Sequence, residues 1–431
     1  MANRNDYNYF DLDNFDDSYD SRSYRRRQQQ RMHGSYNRRP SYNVRPRKRR
    51  RNKRRTRNRI IMVSCAILLV IFMIVLLSIM FKGCSSTSAN NPSNSISTDT
   101  KDKQNASNSS VTPTEPVVKD DLSPAYFVTP QIKDDKSNGE MYPSAYVWKG
   151  AAYELFGSSE QKAENYANTI NGFADKLTGM TVYDMVIPNH TEMGLPQRLK
   201  DSEASSSSQA ENIKSMYSKL ADNVTPINAY NYLANHNSEY IYYDSDHHWS
   251  GLGAYYAYSA FADSTKQPVL QLSECTEKTI EGFTGSFAAT IGTLNTDTVH
   301  YWEFPYSVQM DITDANGNVN TYDSPYYQYA EGGSLTYGVF IMGDNPLTVL
   351  KSSSEKGAGK KIAVVKESYG NAFVPYLTYN YEEVHVVDFR HFGRNLKSYC
   401  QENEIDEVLF INGVMSANTQ IQLDSMSSLF D

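Results

Sequence analysis

The feature that most constrains this chain is an unbroken apolar run, Ile60–Phe81 (IIMVSCAILLVIFMIVLLSIMF), 22 residues without one charged side chain. A helix of that length crosses a hydrocarbon core of about 30 Å. A cleaved signal peptide has a shorter apolar region near the N-terminus, whereas this run follows the whole of Met1–Arg59, so it reads as a retained anchor. The cluster Arg45–Arg59 (RPRKRRRNKRRTRNR) abuts one flank, and the other flank offers Lys82 before a Ser/Asn-rich stretch. The positive-inside rule then predicts Met1 in the cytoplasm and the C-terminus outside the membrane.

Charge follows the same division. Met1–Arg59 carries 19 Lys and Arg against 6 Asp and Glu, while the whole chain is −7, so the remainder is acidic, about −20. An acidic body excludes nucleic acid as the main partner, because binding it requires a basic footprint. Four regions follow: a disordered basic tail (1–59), a transmembrane helix (60–81), a flexible Ser/Asn-rich stalk (82–121) and one large domain (122–431). Cys275 and Cys400 are the only cysteines in that domain, too few for a disulfide framework, and are expected as free thiols.

Within the domain, Ala163, Tyr166, Ala167, Ile170, Phe173, Ala174 and Leu177 recur with a helical period. Thr181–Ile187 reads as a buried strand, Asn212–Leu220 as a helix, Tyr240–Tyr243 as a short strand and Gly251–Ala262 as a helix. Glu281–Asp344 has no helical period and reads as a β-rich insertion. The end of the chain alternates: strand Lys361–Lys366, helix Asn371–Tyr379, strand Glu383–Phe389, helix Leu396–Glu402 and strand Glu407–Ile411. That alternation predicts an α/β fold with a mainly parallel sheet, whose ligands sit at the carboxyl ends of the strands.

Three features fall at such ends. Ser368 follows one strand and precedes a helix, a position that suits a nucleophile but is more often held by an ordinary helix N-cap. In Asp244-Ser245-Asp246-His247-His248-Trp249, an extended backbone puts Asp246 and His248 on one face, a carboxylate beside an imidazole that becomes a general base. The same aspartates and histidines are also metal-ligating types, but no second cluster supplies the remaining ligands. Asn412 ends a strand and offers an amide to an oxyanion or to a turn.

Asp246-His247-His248-Trp249 is the signature of the DHHW family, and YYDSDHHWSGLGAYYAY around it resembles that family. So do FTGSFAATIG (Phe283–Gly292), KESYGNAFVPYL (Lys366–Leu377) and HVVDFRHF (His385–Phe392), in the same order. DHHW proteins resemble the catalytic domains of alginate O-acetyltransferases, which have an SGNH-hydrolase-like three-layer α/β/α fold, an Asp-x-His-Trp motif and a later serine. The resemblance implies a triad of Ser368, His248 and Asp246, with Tyr369 and Arg390 shaping the site and Asn412 as an oxyanion donor. Ordinary SGNH hydrolases place the serine before the Asp/His pair; here it follows. Gly343-Asp344-Asn345 is a rival for their glycine/asparagine blocks.

The expectation is therefore a membrane-anchored extracytoplasmic O-acyltransferase, an O-acetyltransferase of an exopolysaccharide or cell-wall glycan. It needs no cofactor or metal, and a separate multispanning membrane protein would deliver the acyl donor. Two rivals share the sequence. One is an acetylesterase with the same triad; the other is a non-catalytic glycan-binding assembly protein whose Tyr230, Tyr232, Tyr255, Tyr256 and Tyr258 would stack on sugars.

Overall fold

The structure, a computed structural model, describes residues 122–328 and 330–431. The tail, the apolar run and the stalk lie outside the described residues. Among the described residues no helix is long and apolar enough to cross a membrane.

Strands β1 (Glu140–Met141), β2 (Tyr146–Trp148) and β3 (Ala151–Tyr153) form a small antiparallel sheet. Helix α1 (Glu160–Lys176) follows. Ser159 caps it, accepting from the Lys162 N–H at 3.3 Å, with Glu160 in the first turn and Lys176 in the last, as the helix dipole favours. The stripe expected from the sequence, Ala163 to Ala174, is the buried face.

The main sheet begins at β4 (Thr181–Ile187). Short helices α2 (His190–Gly194) and α3 (Gln197–Asp201), then α4 (Gln209–Tyr217), lead to β5 (Val224–Pro226), followed by α5 (Ala229–Asn235) and α6 (Gly251–Ser264). Next come β6 (Thr276–Phe283), β7 (Asp297–Glu303), β8 (Val308–Thr313), β9 (Val319–Tyr322) and β10 (Leu347–Ser352). The chain closes with β11 (Lys361–Lys366), α7 (Gly370–Leu377), β12 (Glu383–Asp388), α8 (Leu396–Glu402), β13 (Glu407–Gly413), α9 (Val414–Ala417) and α10 (Gln420–Ser427).

Eight strands join in the order β5-β4-β13-β11-β12-β10-β8-β9; the first five are parallel and the last three antiparallel. Ile362–Val365 and Val408–Ile411 are buried residue after residue, as central parallel strands covered on both faces must be. From β11 the chain steps one way to β12 and then back across β11 to β13. Right-handed crossovers therefore lay α7 and α8 on opposite faces. Helix α6 packs on both α5 and α7, and α1 packs on α4 and α10, giving two helical layers around the sheet.

Two expectations change. Tyr240–Tyr243 is not a strand: a single bridge pairs Tyr242 with Trp249 across a tight loop. The expected β-rich insertion is only in part separate. The β6–β7 hairpin stands by itself, whereas β8 and β9 extend the main sheet, which β10 has already made mixed by pairing antiparallel with β12. Val308, Met310 and Ile312 alternate with more exposed residues, so β8 has one face to bury, and β10 supplies the backbone partners. Cys275 and Cys400 are both free thiols.

Beneath the sheet lies a buried carboxyl. Tyr166 Oη donates to Asp184 Oδ1 at 2.6 Å and accepts from Asn412 Nδ2 at 3.2 Å. Among the described residues Asp184 Oδ2 and Asn412 Oδ1 have no partner. Burial pushes the Asp184 carboxyl up to about 7, against the Tyr166 hydrogen bond. A folded pKa above the unfolded value of about 3.9 stabilises the fold fully at lower pH, and the benefit is lost as pH rises through 7. The full loss is about 4 kcal/mol. Asp184→Asn keeps the shape without the titration, so its melting temperature should vary less between pH 5 and pH 8.5 and exceed that of the parent at the upper end. A variant melting below the parent at high pH would show that the fold needs the ionised group.

Candidate active site

The acidic-histidine motif is a loop of successive bends between Tyr242 and Trp249. Asp297, at the start of β7, holds it. Its carboxylate accepts from Tyr240 Oη, from the Ser245 hydroxyl and from the backbone N–H groups of Asp244 and Ser245, the last two at 2.8 Å. From the small sheet, the Ala152 N–H donates to the Asp244 carbonyl at 2.8 Å. Ser250 ends the loop by capping α6. The loop is thus fixed from three directions before any chemistry is considered.

Asp246 and His248 meet, but not through alternation along a strand. Asp246 Oδ1 accepts from the His248 backbone N–H at 3.0 Å and from His248 Nδ1 at 2.6 Å. This is an Asx-turn, in which a short acidic side chain bonds its own backbone two residues on. Asp246 Oδ2 accepts from the Ser286 N–H at 2.7 Å. Burial opposes ionisation of Asp246, yet the two imidazoles and the hydrogen bonds from His248 and Ser286 hold its carboxyl well below the usual range. A proton on His248 Nδ1 leaves the Nε2 lone pair to accept from Ser368 Oγ, 2.7 Å away. The Tyr337 ring lies flat on the His248 imidazole, centroids 4.0 Å apart at 8°, and its hydroxyl donates to the Ser368 carbonyl at 3.2 Å.

His247 points elsewhere, with Nδ1 2.8 Å from Ser286 Oγ. Burial and the neighbouring His248 push it down to about 3, against the pull of Asp246 and Asp344. Asp246, His247 and His248 do offer ligand atoms within 4.8 Å of one another. Both His248 nitrogens and both Asp246 oxygens are already engaged, so a cation there would have to break the link to Ser368.

Ser368 follows β11 and is half-buried. It does not cap α7: Tyr369 is the N-cap, without a side-chain hydrogen bond. Ser368 Oγ also lies 3.2 Å from Glu367 Oε2, so two acceptors contest one proton, and His248 is the nearer. Tyr369 ties the serine turn to the motif loop. Its hydroxyl donates to the His247 carbonyl, and its own carbonyl accepts from Trp249 Nε1 at 3.0 Å.

Arg390 belongs to a charge cluster at the ends of β11 and β12. Buried Lys366 Nζ lies 2.9 Å from Asp344 and 2.8 Å from Asp388; Arg390 pairs with Asp388 through Nε and one terminal nitrogen, which also reaches Asp344 at 2.8 Å. Burial works against all four charges. The opposite charges outweigh it, lowering the two carboxyls and raising the two cations. Asp344, the sequence rival for an oxyanion block, is therefore a counter-ion, and Asn371 Nδ2 donates to it at 2.9 Å. Asn412 is not brought to the serine; it is fully buried and commits its amide to Tyr166. The five tyrosines considered for sugar stacking are buried, each hydroxyl bonded within the domain.

Sequence reasoning passed over Glu367, Asp297, Tyr337 and the pair Gly285-Ser286. Two of these stood inside family-like blocks, Gly285-Ser286 in FTGSFAATIG and Glu367 in KESYGNAFVPYL, while Asp297 and Tyr337 had no such signal. A β-carbon on Gly285 would collide with the Asp246 backbone and side chain, so Gly285→Ala must displace the aspartate. We expect a cost of about 1–3 kcal/mol, read as a lower melting temperature, together with loss of covalent labelling of Ser368. Unchanged labelling would show that the loop tolerates the shift.

The DHHW protein family profile matches residues 89–387, starting within the stretch read as stalk and ending before β13. No curated relative matches the sequence. Among solved structures, a DHHW family protein from Eubacterium siraeum is 29% identical with a TM-score of 0.61, covering 68% of this chain and 99% of that one. PatB1 from Bacillus cereus is 20% identical with a TM-score of 0.52, covering 66% of this chain and 98% of its own. The same protein with a sulfonyl adduct is 19% identical with a TM-score of 0.50, covering 63% and 93%. At those identities PatB1 testifies to the fold alone. With the motif seated in its loop and the profile covering most of the chain, this protein belongs to the DHHW family.

Proposed function

We propose that this chain is an O-acyltransferase of SGNH-like type, an O-acetyltransferase of an exopolysaccharide or cell-wall glycan. The observation that carries the reading is the continuous relay from Asp246 through His248 to Ser368, with links of 2.6 and 2.7 Å. Ser368 Oγ attacks the acyl carbonyl carbon and its proton passes to His248 Nε2. Asp246 keeps the imidazole oriented and stabilises the imidazolium. The leaving oxygen takes that proton, and the acyl-serine then passes its acyl group to a glycan hydroxyl, which His248 deprotonates. Tyr337, flat on the imidazole, restrains its rotation and faces the positive charge with its π surface. Water as acceptor would make the same triad an esterase.

Intact-mass analysis of the full-length chain with an activated acetyl ester tests this. One acetyl group should appear on Ser368 and be absent from Ser368→Ala. A sulfonyl fluoride, prompted by the adduct known for PatB1, should label the same residue. His248→Ala should lower acylation by several orders of magnitude and His247→Ala far less. Adduct formation in Ser368→Ala, or equal losses for the two histidines, would refute the triad.

The location belongs to the same proposal. Ile60–Phe81 anchors the chain, its arginine-rich flank stays inside, and residues 122–431 face outward, where glycan arrives and a multispanning protein hands over the acyl group. Protease added to intact cells should digest the region after Cys84 and spare Met1–Arg59; a protected C-terminal region would overturn the placement.

A further inference from the structure

Acyl transfer needs hydrogen-bond donors aimed at the oxygen that becomes negative, about 3 Å from both that oxygen and the nucleophile. Asn412 does not fill this role. Around Ser368 two backbone N–H groups are fixed instead, and both are occupied. Glu367 Oε2 accepts from the Tyr369 N–H at 3.0 Å while lying 3.2 Å from Ser368 Oγ. Glu367 Oε1 accepts from the Gly413 N–H at 2.8 Å. The carboxylate therefore bridges the nucleophile and two donors, Oε2 meeting Ser368 and Tyr369 and Oε1 meeting Gly413. We infer that the Tyr369 and Gly413 N–H groups are the oxyanion donors of this site, and that the Glu367 carboxylate is a resident plug the acyl donor displaces.

Three observations support this. Glu367 is buried, and among the described residues no ion pair holds it, so backbone donors are its main anchorage. Gly413 brings no side chain between its N–H and the carboxylate, and a β-carbon there would stand tightly, 3.1 Å from the Tyr369 ring and 3.3 Å from Glu367 Oε1. Finally, a carboxylate beside Ser368 opposes the reaction in place, because it repels the negative charge of the tetrahedral intermediate and competes with His248 for the hydroxyl proton. Once it is displaced, the carbonyl oxygen takes its place. As Ser368 Oγ bonds to the carbon and its proton goes to His248, the carbonyl π pair moves to that oxygen, which accepts from Tyr369 and Gly413. Collapse restores the carbonyl and expels the leaving oxygen with the proton from His248.

This inference rests on the acyl-serine reading, and one experiment separates the two. The full-length parent, Glu367→Ala and Glu367→Gln are compared for acetylation rate with p-nitrophenyl acetate and for affinity to phenylboronic acid. Boron accepts Ser368 Oγ and places a negatively charged oxygen where the oxyanion forms. Alanine removes the plug, and both readouts should improve about tenfold. Glutamine keeps the shape without the charge and should give a smaller gain in both. A folded alanine variant that acetylates more slowly, or binds boronate no better, overturns the plug. If alanine does not fold, glutamine decides: a gain upholds the inference and no gain refutes it. A parent chain that takes neither acetyl nor boronate on Ser368 would instead refute the acyl-serine reading itself.

Discussion

Lys366 is the constraint on which the site depends. It closes β11 at the centre of the sheet with its ammonium out of reach of water, and a buried charge without partners costs several kcal/mol. Two carboxylates must therefore come to it. Asp388 arrives because β12 runs parallel to β11 in a register that sets the two residues side by side. Asp344 comes from the long segment between α6 and β11. Arg390 then balances the second carboxylate, and the four charges sum to zero. This cluster forms the floor from which the serine turn rises, two residues beyond Lys366.

A second constraint is how the motif loop is held. Neither Asp246 nor His248 lies on a strand or helix, the usual means of fixing a side chain to a fraction of an ångström. Hydrogen bonds do that work: Asp297 from below, Ser286 from the side, and Trp249 and Tyr369 across to the serine turn. The loop and the turn thus share partners, so His248 and Ser368 keep their distance even though 120 positions separate them. Tyr337 completes the enclosure by covering the imidazole and bonding the serine carbonyl.

The charge around the nucleophile is mostly spoken for. Asp344 and Asp388 are compensated by Lys366 and Arg390, and Asp246 is held by His248 and a backbone N–H. Glu367 stands apart, a buried carboxylate at the reacting oxygen held by backbone dipoles. That asymmetry makes it the charged group at the site most readily moved by an incoming ligand.

Much of the architecture was legible in the residues themselves. The 3.6-residue stripe from Ala163 to Ala174, the continuous apolar runs of β11 and β13, and the strand–helix alternation after Lys361 each follow from local physics. Spacing alone paired Asp246 with His248, although the geometry proved to be an Asx-turn and not a strand. What sequence could not supply were relations between distant segments. The sheet became mixed because β10 paired antiparallel with the edge of β12, and β10 then offered its own free edge to β8. Asn412, a plausible donor in isolation, was drawn under the sheet by Tyr166, which only the packing of α1 on the sheet could bring there. Glu367 carries no local sign of its role, since the two N–H groups that hold it belong to the serine turn and to the end of β13. Local periodicity and short-range spacing determined the elements and the Asp–His pair. Tertiary structure decided which faces, counter-ions and backbone donors meet at Ser368, because those contacts depend on strand register and burial across the whole sheet.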